Sequence, residues 1–497
     1  MAKTTRSTGR PRMRRVAAVS AALATLALTQ STANGVETAD TLPDPVISVL
    51  DGLTPHPLTV ADGVERTTYS SDTSDIVVRV AVIDPDKGAV SVNSTFGKAV
   101  GVKETTTAML NTVKEVPYVG INGGFSVSTK DEDANGAIIH EDRSIPMMTS
   151  VQEDVVQGAA CMNGQNSVVL QHGRPHFTRV KTSLTITSDK KTAGAADDVT
   201  RIVDGVNRYP GWIPFCQQEP TDKALPVKRD ADGNPVKDED GNYIRLDENG
   251  RAIKSAPHYQ DDSEIVVFTS AYGQKTPTPA HTPFVAADNA QGVEVAVDKD
   301  GYVTAMSSTR GGMDIPANGM VLQGIGLTQA DAGAKWLTDN IAVGTKLTYN
   351  QSVTDVGFTE ETTDDEDIPL NPAYPSVDVV NGTHQLMRDG KVVAPTDGNA
   401  RLDPRTAIGS DGYGRTLFVT VSAKADNARL GVGIYDMAKL MQDLGAIDAL
   451  NLDGGGSTTF VVDGVVKNEL ADNGVERPVY DSVYAGRGGF GLPAAGN

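Results

Sequence analysis

The sequence predicts an α+β fold that is mostly β: β-rich mixed sheets with a few packed helices, in a single domain that carries one surface insertion. Two observations favour this class. β-branched residues recur in short runs bounded by turn-forming residues, and the chain contains 50 glycines and 26 prolines but only 5% aromatic residues. Short runs of this kind are typical of strands, and frequent Gly and Pro are typical of the turns between them. A chain of 497 residues is long enough to bury a large core.

The first 33 residues have the pattern of a secretory signal peptide and are excluded from the fold. Six basic residues come first, an apolar run over residues 16–28 follows, and Ser31-Thr32-Ala33 supplies small residues for cleavage. The apolar run is shorter than the ~20 residues of a membrane-spanning helix, which disfavours a membrane anchor. We therefore expect a secreted, extracellular protein with a flexible leader at 34–57, a domain at 58–490 and a tail at 491–497.

The net charge of the chain narrows the classes of partner. The formal net charge is −20, and removal of the six basic residues of the signal peptide takes it to −26. So acidic a protein is not expected to bind nucleic acid or an anionic membrane surface.

The two cysteines, Cys161 and Cys216, are predicted to form a disulfide in an oxidising compartment, with two separate buried thiols as the alternative.

Local patterns predict the main elements in chain order. We expect a hairpin from residues 76–83 and 89–92, a short helix at 105–113, a buried strand at 116–121 and a hairpin at 387–393. The region 217–262 contains three Asp-Gly or Asn-Gly turn sequences about eight residues apart. Because they lack the full oxygen-ligand pattern of calcium loops, they are predicted to be hairpin turns in a surface insertion. A helix with Ile434, Met437, Met441 and Leu444 on one face is expected to end at Gly445.

The stretch around Asp453 is the most informative part of the chain. An apolar run at 446–452 leads into Asp453, followed by Gly454, Gly455 and Gly456, then by Ser457 and Thr458, and another apolar run begins at 460. This order predicts strand, loop and strand. Consecutive glycines allow a backbone loop whose N–H groups bind an anion, and neighbouring hydroxyls add donors. The alternative is a tight turn between two strands.

Two further motifs could complete such a site. Asn122-Gly-Gly follows the strand at 116–121 and could offer an amide to a sugar hydroxyl or a phosphate oxygen, although Asn-Gly is also a common turn. Arg401 and Arg405 stand out on so acidic a chain. A guanidinium can pair with two phosphate oxygens at once, so these arginines could bind a phosphodiester. The alternative is that they form ion pairs with a carboxylate such as Asp403.

Four motifs together resemble the phosphodiester glycosidase family. They are Ile121-Asn-Gly-Gly-Phe125, Pro404-Arg-Thr-Ala-Ile-Gly409, Leu452-Asp-Gly-Gly-Gly-Ser-Thr458 and Glu476-Arg-Pro478. The resemblance extends from about residue 60 to residue 483 and is interrupted by the insertion at 217–262. The family usually has a second aromatic residue where this chain has Ser126, and often a Gly-Gly pair where it has Asn381-Gly382. The resemblance implies hydrolysis of a sugar-1-phosphodiester to the sugar and a phosphomonoester by a single catalytic domain.

The resemblance also implies the site residues. Asp453, Arg405 and Asn122 are predicted to be catalytic, and the substrate-binding residues are predicted to be Gly454, Gly455, Gly456, Ser457, Thr458, Thr406 and Arg477. A phosphomonoester is a good leaving group, so cancelling its charge matters more than protonating it, and we assign that task to Arg405 and the N–H groups of 454–457. Asp453 would act on the sugar, by activating water or stabilising positive charge at the anomeric carbon.

Other interpretations of the site remain open at this point. The substrate could be a cell-wall or extracellular polysaccharide without phosphate, or the protein could be a non-catalytic carbohydrate-binding envelope protein. No cofactor is predicted, although Asp453 with neighbouring hydroxyls leaves calcium or magnesium as an alternative.

Overall fold

The structure is a computed structural model, and it describes the larger part of the chain beyond residue 47. The described residues are 48–99, 101–132, 138–153, 155–158, 164–189, 199–211, 222–236, 244–246, 250, 252–253, 259–261, 263–277, 291–327, 332–357, 368–369, 377–396, 401–425 and 430–487. Cys161 and Cys216 lie outside these ranges, as do the signal peptide and most of the leader, so the disulfide stays a prediction.

The described strands and helices are, in chain order, β1 (Thr54–Ala61), β2 (Val64–Ser70), β3 (Ile76–Ile83), β4 (Val90–Thr95), α1 (Thr106–Leu110), β5 (Val116–Asn122), β6 (Ser126–Glu132), β7 (Ile138–Pro146), β8 (Ser150–Gln152), β9 (Val155–Gly158), β10 (Gln165–Gln171), β11 (Arg174–Ser188), β12 (Val199–Ile202), β13 (Gly205–Val206), β14 (Lys223–Ala224), β15 (Arg245–Leu246), β16 (Ala252–Ile253), β17 (Tyr259–Gln260), β18 (Ile265–Thr269), β19 (Gln291–Val297), β20 (Val303–Thr309), β21 (Met320–Gly324), α2 (Gly333–Asn340), β22 (Leu347–Asp355), β23 (Ile368–Pro369), β24 (Asp378–Asn381), β25 (His384–Arg388), β26 (Lys391–Val392), β27 (Arg405–Asp411), β28 (Thr416–Ala423), α3 (Ile434–Asp443), β29 (Ala446–Asn451), β30 (Phe460–Val462), β31 (Val465–Val466) and β32 (Ser482–Arg487).

These strands form four main sheets. Sheet A has the order β1-β2-β3-β28-β27-β29-β25-β26, and sheet B has the order β31-β30-β5-β32-β4. Sheet C has the order β23-β22-β11-β10-β24-β8-β9 with β12 beside β11, and sheet D has the order β13-β18-β21-β19-β20. Most neighbours are antiparallel, and β13 with β18 is a parallel pair. The described residues are therefore β-rich with few helices, rather than a balanced α+β mixture.

The central strands of sheet A are buried on both faces, which explains their continuous apolar character. On one face, Val78 and Val80 of β3 pack with Met437 and Met441 of α3. On the other face, Ile83, together with Ile408 and Phe418 of β27 and β28, packs against residues of sheets B and C. Side chains alternate between the two faces along a strand, so sheet A lies between α3 and the rest of the core.

A second core lies between sheets C and D. Leu184 and Ile186 of β11 pack with Ile265 of β18 and Leu322 of β21, and Leu337 of α2 belongs to the same cluster. Sheets A and B, together with the loops at their ends, hold the motifs singled out in the sequence.

The structure confirms some of the predicted elements. Met387 pairs with Val392 across the predicted hairpin, and the helix with the Ile434 stripe forms as α3, with Gly445 at a positive φ of 84° just beyond its end. The predicted strand, loop and strand around Asp453 form as β29, a 3₁₀ turn at Gly455–Ser457, and β30. In the predicted insertion, a turn at residues 230–234 is closed by a bridge between Arg229 and Pro235, and the other two turn sequences fall partly or wholly outside the described residues.

Other predictions were wrong. β3 and β4 do not form a hairpin, because β3 pairs with β2 and β28 whereas β4 pairs with β32 in a different sheet. Helix α1 is shorter than predicted: the side chain of Thr105 caps it by accepting from the N–H of Ala108, and it ends at Leu110. The first strand begins at Thr54, inside the predicted leader, and pairs with β2.

No helix among the described residues is long and apolar enough to cross a membrane.

Candidate active site

Asp453 leaves the end of β29 and is held there by its main chain. The N–H of Leu452 donates to the carbonyl of Thr406 at 2.9 Å, and the N–H of Asp453 donates to the carbonyl of Gly123 at 3.1 Å. The loop after β5 and the start of β27 therefore meet at the main chain of Leu452 and Asp453. Three of the sequence motifs thus come together in space.

The glycine loop is shaped by internal hydrogen bonds. Gly455 has a φ of 59°, a left-handed conformation that favours glycine. The N–H of Gly454 donates to its neighbour Asp453 Oδ1, that of Gly455 donates to Pro404 O, and that of Ser457 donates to Gly454 O. Because these three donors are used by protein oxygens, the predicted anion-binding concavity of 454–457 is not open. Among the described residues, only the N–H of Gly456 in this loop lacks an acceptor.

Asn122 joins three parts of the site. Its amide Nδ2 donates to the carbonyl of Asp453 at 2.7 Å, and its Oδ1 accepts from the hydroxyl of Thr406 at 2.8 Å and from the N–H of Thr459 at 3.1 Å. Asn122 and Thr406 are both fully buried. This geometry places the two residues behind the site as supports, rather than in contact with substrate as the sequence predicts.

The carboxyl of Asp453 is partly exposed and lies among cations. Arg477, Lys103 and Arg405 are each close enough to interact electrostatically with it. Burial raises the pKa of Asp453, while hydrogen bonds from Ser457 and the N–H of Gly454 oppose the rise. On a chain of net charge −20, these three cations provide local positive charge that suits an anionic substrate.

Arg477 is fixed beside the glycine loop. Its guanidinium forms an ion pair with Asp472, and its Nη1 donates to the Ser457 hydroxyl at 3.5 Å. A Cβ on Gly456 would lie 2.0 Å from Arg477 Nη2. The third glycine is therefore required by the close approach of this arginine.

Arg405 approaches the loop from β27. Its Nε donates to Val432 O at 2.9 Å and its Nη2 donates to Arg401 O at 3.0 Å. The predicted alternative, pairing with Asp403, applies instead to Arg401, which forms the ion pair with that carboxylate. Arg405 Cδ lies 3.7 Å from where a Cβ on Gly454 would be, so Arg405 and the loop line the same part of the site.

Thr458 is buried, and its hydroxyl has no hydrogen-bond partner among the described residues. Its carbonyl accepts from the amide of Asn468 at 2.8 Å, which fixes the end of the loop. The hydroxyl predicted to bind substrate is thus positioned by backbone contacts.

Sequence reasoning missed a second carboxyl, Asp481, which precedes β32. It is 1% exposed, its Oδ1 accepts from the N–H of Gly124 at 2.7 Å, and its carbonyl accepts from the N–H of Gly123 at 2.9 Å. Burial raises the pKa of Asp481 to about 7, helped by the charges of Asp453 and Asp378 and opposed by the Gly124 hydrogen bond. Its position three residues after the Glu476-Arg-Pro478 motif was the available signal.

Lys103 was also missed, since nothing in its sequence context marks it. Within the described residues, no group of three or more His, Cys, Asp or Glu side chains is arranged to hold a metal ion. The site therefore offers one partly exposed carboxylate, a second buried one, and cations that can bind an oxyanion.

Comparison with known proteins confirms the family resemblance. Residues 291–485 match the family model described as phosphodiester glycosidase. This range includes Arg405, the glycine loop and Arg477, whereas Asn122 lies outside it.

Three curated proteins are similar to parts of this chain. The chain is 27% identical over 124 residues to the mouse N-acetylglucosamine-1-phosphodiester alpha-N-acetylglucosaminidase, covering 22% of this chain and 24% of that protein. The human protein of the same name matches with the same identity and coverage. The prophage-derived protein YomE of Bacillus subtilis is 39% identical over 80 residues, covering 16% of this chain and 12% of that protein. The matched part thus spans less than a quarter of each of these relatives.

Two solved structures share the fold. A crystal structure of a protein from Burkholderia pseudomallei K96243 superimposes with a TM-score of 0.58 and 22% identity, covering 82% of this chain and 74% of that chain. A Synechocystis protein superimposes with a TM-score of 0.53 and 17% identity, covering 88% of this chain and 64% of that chain. At these identities the likeness concerns the fold alone.

Proposed function

We propose that the protein hydrolyses a sugar-1-phosphodiester, releasing the sugar and leaving a phosphomonoester. The observation that carries this proposal is the cluster of Arg405, Arg477 and Lys103 around the Asp453 carboxylate, within a strongly acidic chain. The family match supports the reaction class, and glycosidase activity toward a phosphodiester is what the mouse and human relatives are named for.

The residues divide the work between the two ends of the substrate. The guanidinium of Arg405 and its neighbouring cations stabilise negative charge as the phosphomonoester leaves, which is electrostatic stabilisation by groups already in place. Asp453, in its ionised form, acts on the sugar by accepting a proton from the attacking water or by stabilising positive charge at the anomeric carbon. The buried amide of Asn122 keeps Asp453 in place by holding its carbonyl.

Isotope labelling tests the reaction directly. The protein would be incubated with a defined sugar-1-phosphodiester in ¹⁸O-labelled water, and both products would be analysed by mass spectrometry. The proposal expects the label in the hydroxyl at the anomeric carbon of the sugar, because the bond between that carbon and oxygen breaks. Label in the phosphomonoester would instead show attack at phosphorus and would refute a glycosidase.

Substitutions test the assigned roles. Asp453→Asn should be nearly inactive, and Arg405→Ala should lose about 10²–10³-fold in turnover, as expected when one preorganised charge-stabilising group is removed. Arg174→Ala is the matched control, because Arg174 is a half-exposed arginine that pairs with Asp86. Near wild-type turnover by Arg405→Ala would remove Arg405 from the mechanism.

Substrate range separates the proposal from its alternatives. Cleavage of aryl glycosides or polysaccharide at rates matching those of the diester would favour an ordinary glycosidase, and binding without any turnover would favour a carbohydrate-binding protein. We also propose that the protein acts outside the cell. Amino-terminal sequencing of the exported protein should then find a start just after Ala33.

A further inference from the structure

A polar cluster that no motif identifies lies on one face of sheet A. His384 of β25 pairs with Asn451 of β29, and Asn451 also pairs with Ala407 of β27. Residues directly opposite each other in antiparallel strands project to the same face, and so do residues two apart in a strand. The side chains of His384, Asn451 and Arg405 therefore project together, on the face that carries α3.

Hydrogen bonds fix the orientation of the His384 ring. Asn451 Nδ2 donates to the hydroxyl oxygen of Thr383 at 3.1 Å, and that oxygen lies 2.9 Å from His384 Nδ1. The N–H of Thr383 also donates to the carbonyl of Asn451 at 3.2 Å. Since Thr383 receives a hydrogen from Asn451, its own hydroxyl hydrogen is available for Nδ1. This assignment leaves the hydrogen of a neutral ring on Nε2, which has no partner among the described residues.

The electrostatic surroundings keep the ring neutral and attract anions. Burial lowers the pKa of His384, and the nearby charge of Arg405 lowers it further. Arg405 in turn donates to Val432 O. Val432 immediately precedes Gly433, the N-cap residue of α3, which provides no side-chain cap. The partial positive charge of this helix start adds to that of Arg405. A neutral N–H donor and a helix start thus both lie close to the Arg405 guanidinium.

Asn451 gives a second, independent indication that a ligand completes this cluster. It is 1% exposed, and its Oδ1 has no hydrogen-bond partner among the described residues. A buried amide oxygen without a donor costs free energy, and a ligand hydroxyl would supply one.

We propose that His384 is a substrate-contacting residue whose Nε2–H binds a phosphate oxygen of the substrate beside Arg405. This inference rests on the proposed function and extends it by naming a residue that selects for phosphate.

A pair of conservative substitutions tests the role of the Nε2 atom. In His384→Gln the amide nitrogen reaches approximately where Nε2 lies, whereas in His384→Asn it reaches only as far as Nδ1. We expect His384→Asn and His384→Ala to weaken binding of inorganic phosphate, measured by calorimetry, by about tenfold or more, as for loss of a hydrogen bond to a charged group. His384→Gln should bind within about threefold of wild type. His176→Ala, at a histidine that contacts Asp355, is the matched control.

The outcomes separate this inference from the proposed function. The inference would be overturned if His384→Asn bound phosphate as tightly as wild type does. It would also be overturned if His384→Gln bound phosphate as weakly as His384→Asn does. If no phosphodiester is cleaved but His384→Asn still loses phosphate affinity while His384→Gln keeps it, the proposed function fails and the phosphate contact stands. If the diester is cleaved and His384→Asn leaves its KM unchanged, the proposed function stands and the role of His384 falls.

Discussion

Replacement of Asp481 by asparagine should make the protein less sensitive to rising pH. The wild-type carboxyl has a folded-state pKa of about 7, against 3.8 for an ordinary aspartate. Well below pH 3.8 the group is protonated in both the folded and unfolded states, so its contribution to stability is fully present there. As pH rises toward 7, the unfolded chain loses the proton and the folded protein keeps it, so the free energy of unfolding falls.

The magnitude follows from the size of the shift. About three pKa units correspond to about 4 kcal/mol, since each unit corresponds to about 1.4 kcal/mol. The side-chain amide introduced by Asp481→Asn would retain an oxygen for the N–H of Gly124, which Asp481 Oδ1 accepts at 2.7 Å, and an amide cannot ionise. The difference in stability between variant and wild type should therefore grow by about 4 kcal/mol in favour of the variant between pH 4 and pH 8.

Urea unfolding followed by circular dichroism at four pH values between 4 and 8.5 measures this difference. Asp314→Asn controls for the loss of one negative charge, because Asp314 is exposed and pairs with Lys275 at the surface. Parallel stability curves for Asp481→Asn and wild type across this range would refute the reasoning, because they would mean that Asp481 ionises in the folded protein as it does in the unfolded chain.

Three further predictions concern the residues around Asp453. Gly456→Ala should lower kcat/KM by about 10²-fold without unfolding the protein, because the added Cβ would displace Arg477 from its position in the site. If the further substitution Arg477→Ala restored kcat/KM to the Gly456→Ala variant, displacement of Arg477 would not be the cause of the loss. Asn122→Ala should reduce the free energy of unfolding by about 3 kcal/mol, because the N–H of Thr459 and the hydroxyl of Thr406 would both lose their acceptor. A loss below about 1 kcal/mol in urea titrations would contradict the supporting role of Asn122. As pH is lowered, kcat/KM should fall with an apparent pKa above that of an ordinary aspartate, because burial raises the pKa of Asp453 and its ionised form is the active one. A kcat/KM that stays constant down to pH 4 would exclude ionised Asp453 as the active group.

Local patterns predicted much of the candidate site and less of the sheet arrangement. The glycine loop and Arg405 were found because a glycine triplet and a pair of arginines on an acidic chain need a specific explanation, whereas Arg477 was found only through the family resemblance. Lys103 and His384 were missed because their neighbourhood is made by strands and loops that are distant in sequence. The same limit explains the wrong hairpin at β3 and β4: a turn sequence indicates that the chain reverses, but the partner of each strand depends on which apolar faces can be buried together.

The sequence by itself determined that the chain is β-rich, that a strand ends just before Asp453, and that the following glycines permit a tight loop. All three depend on the conformational preferences of neighbouring residues. Only the tertiary structure decided which donors of that loop remain open and that Asn122 supports the site from behind. It also decided that Asp481 is buried beside Gly123 and Gly124, where the loss of hydration raises its pKa to about 7. Hydrogen-bond satisfaction and burial depend on atoms brought together from distant segments, and no local pattern specifies them.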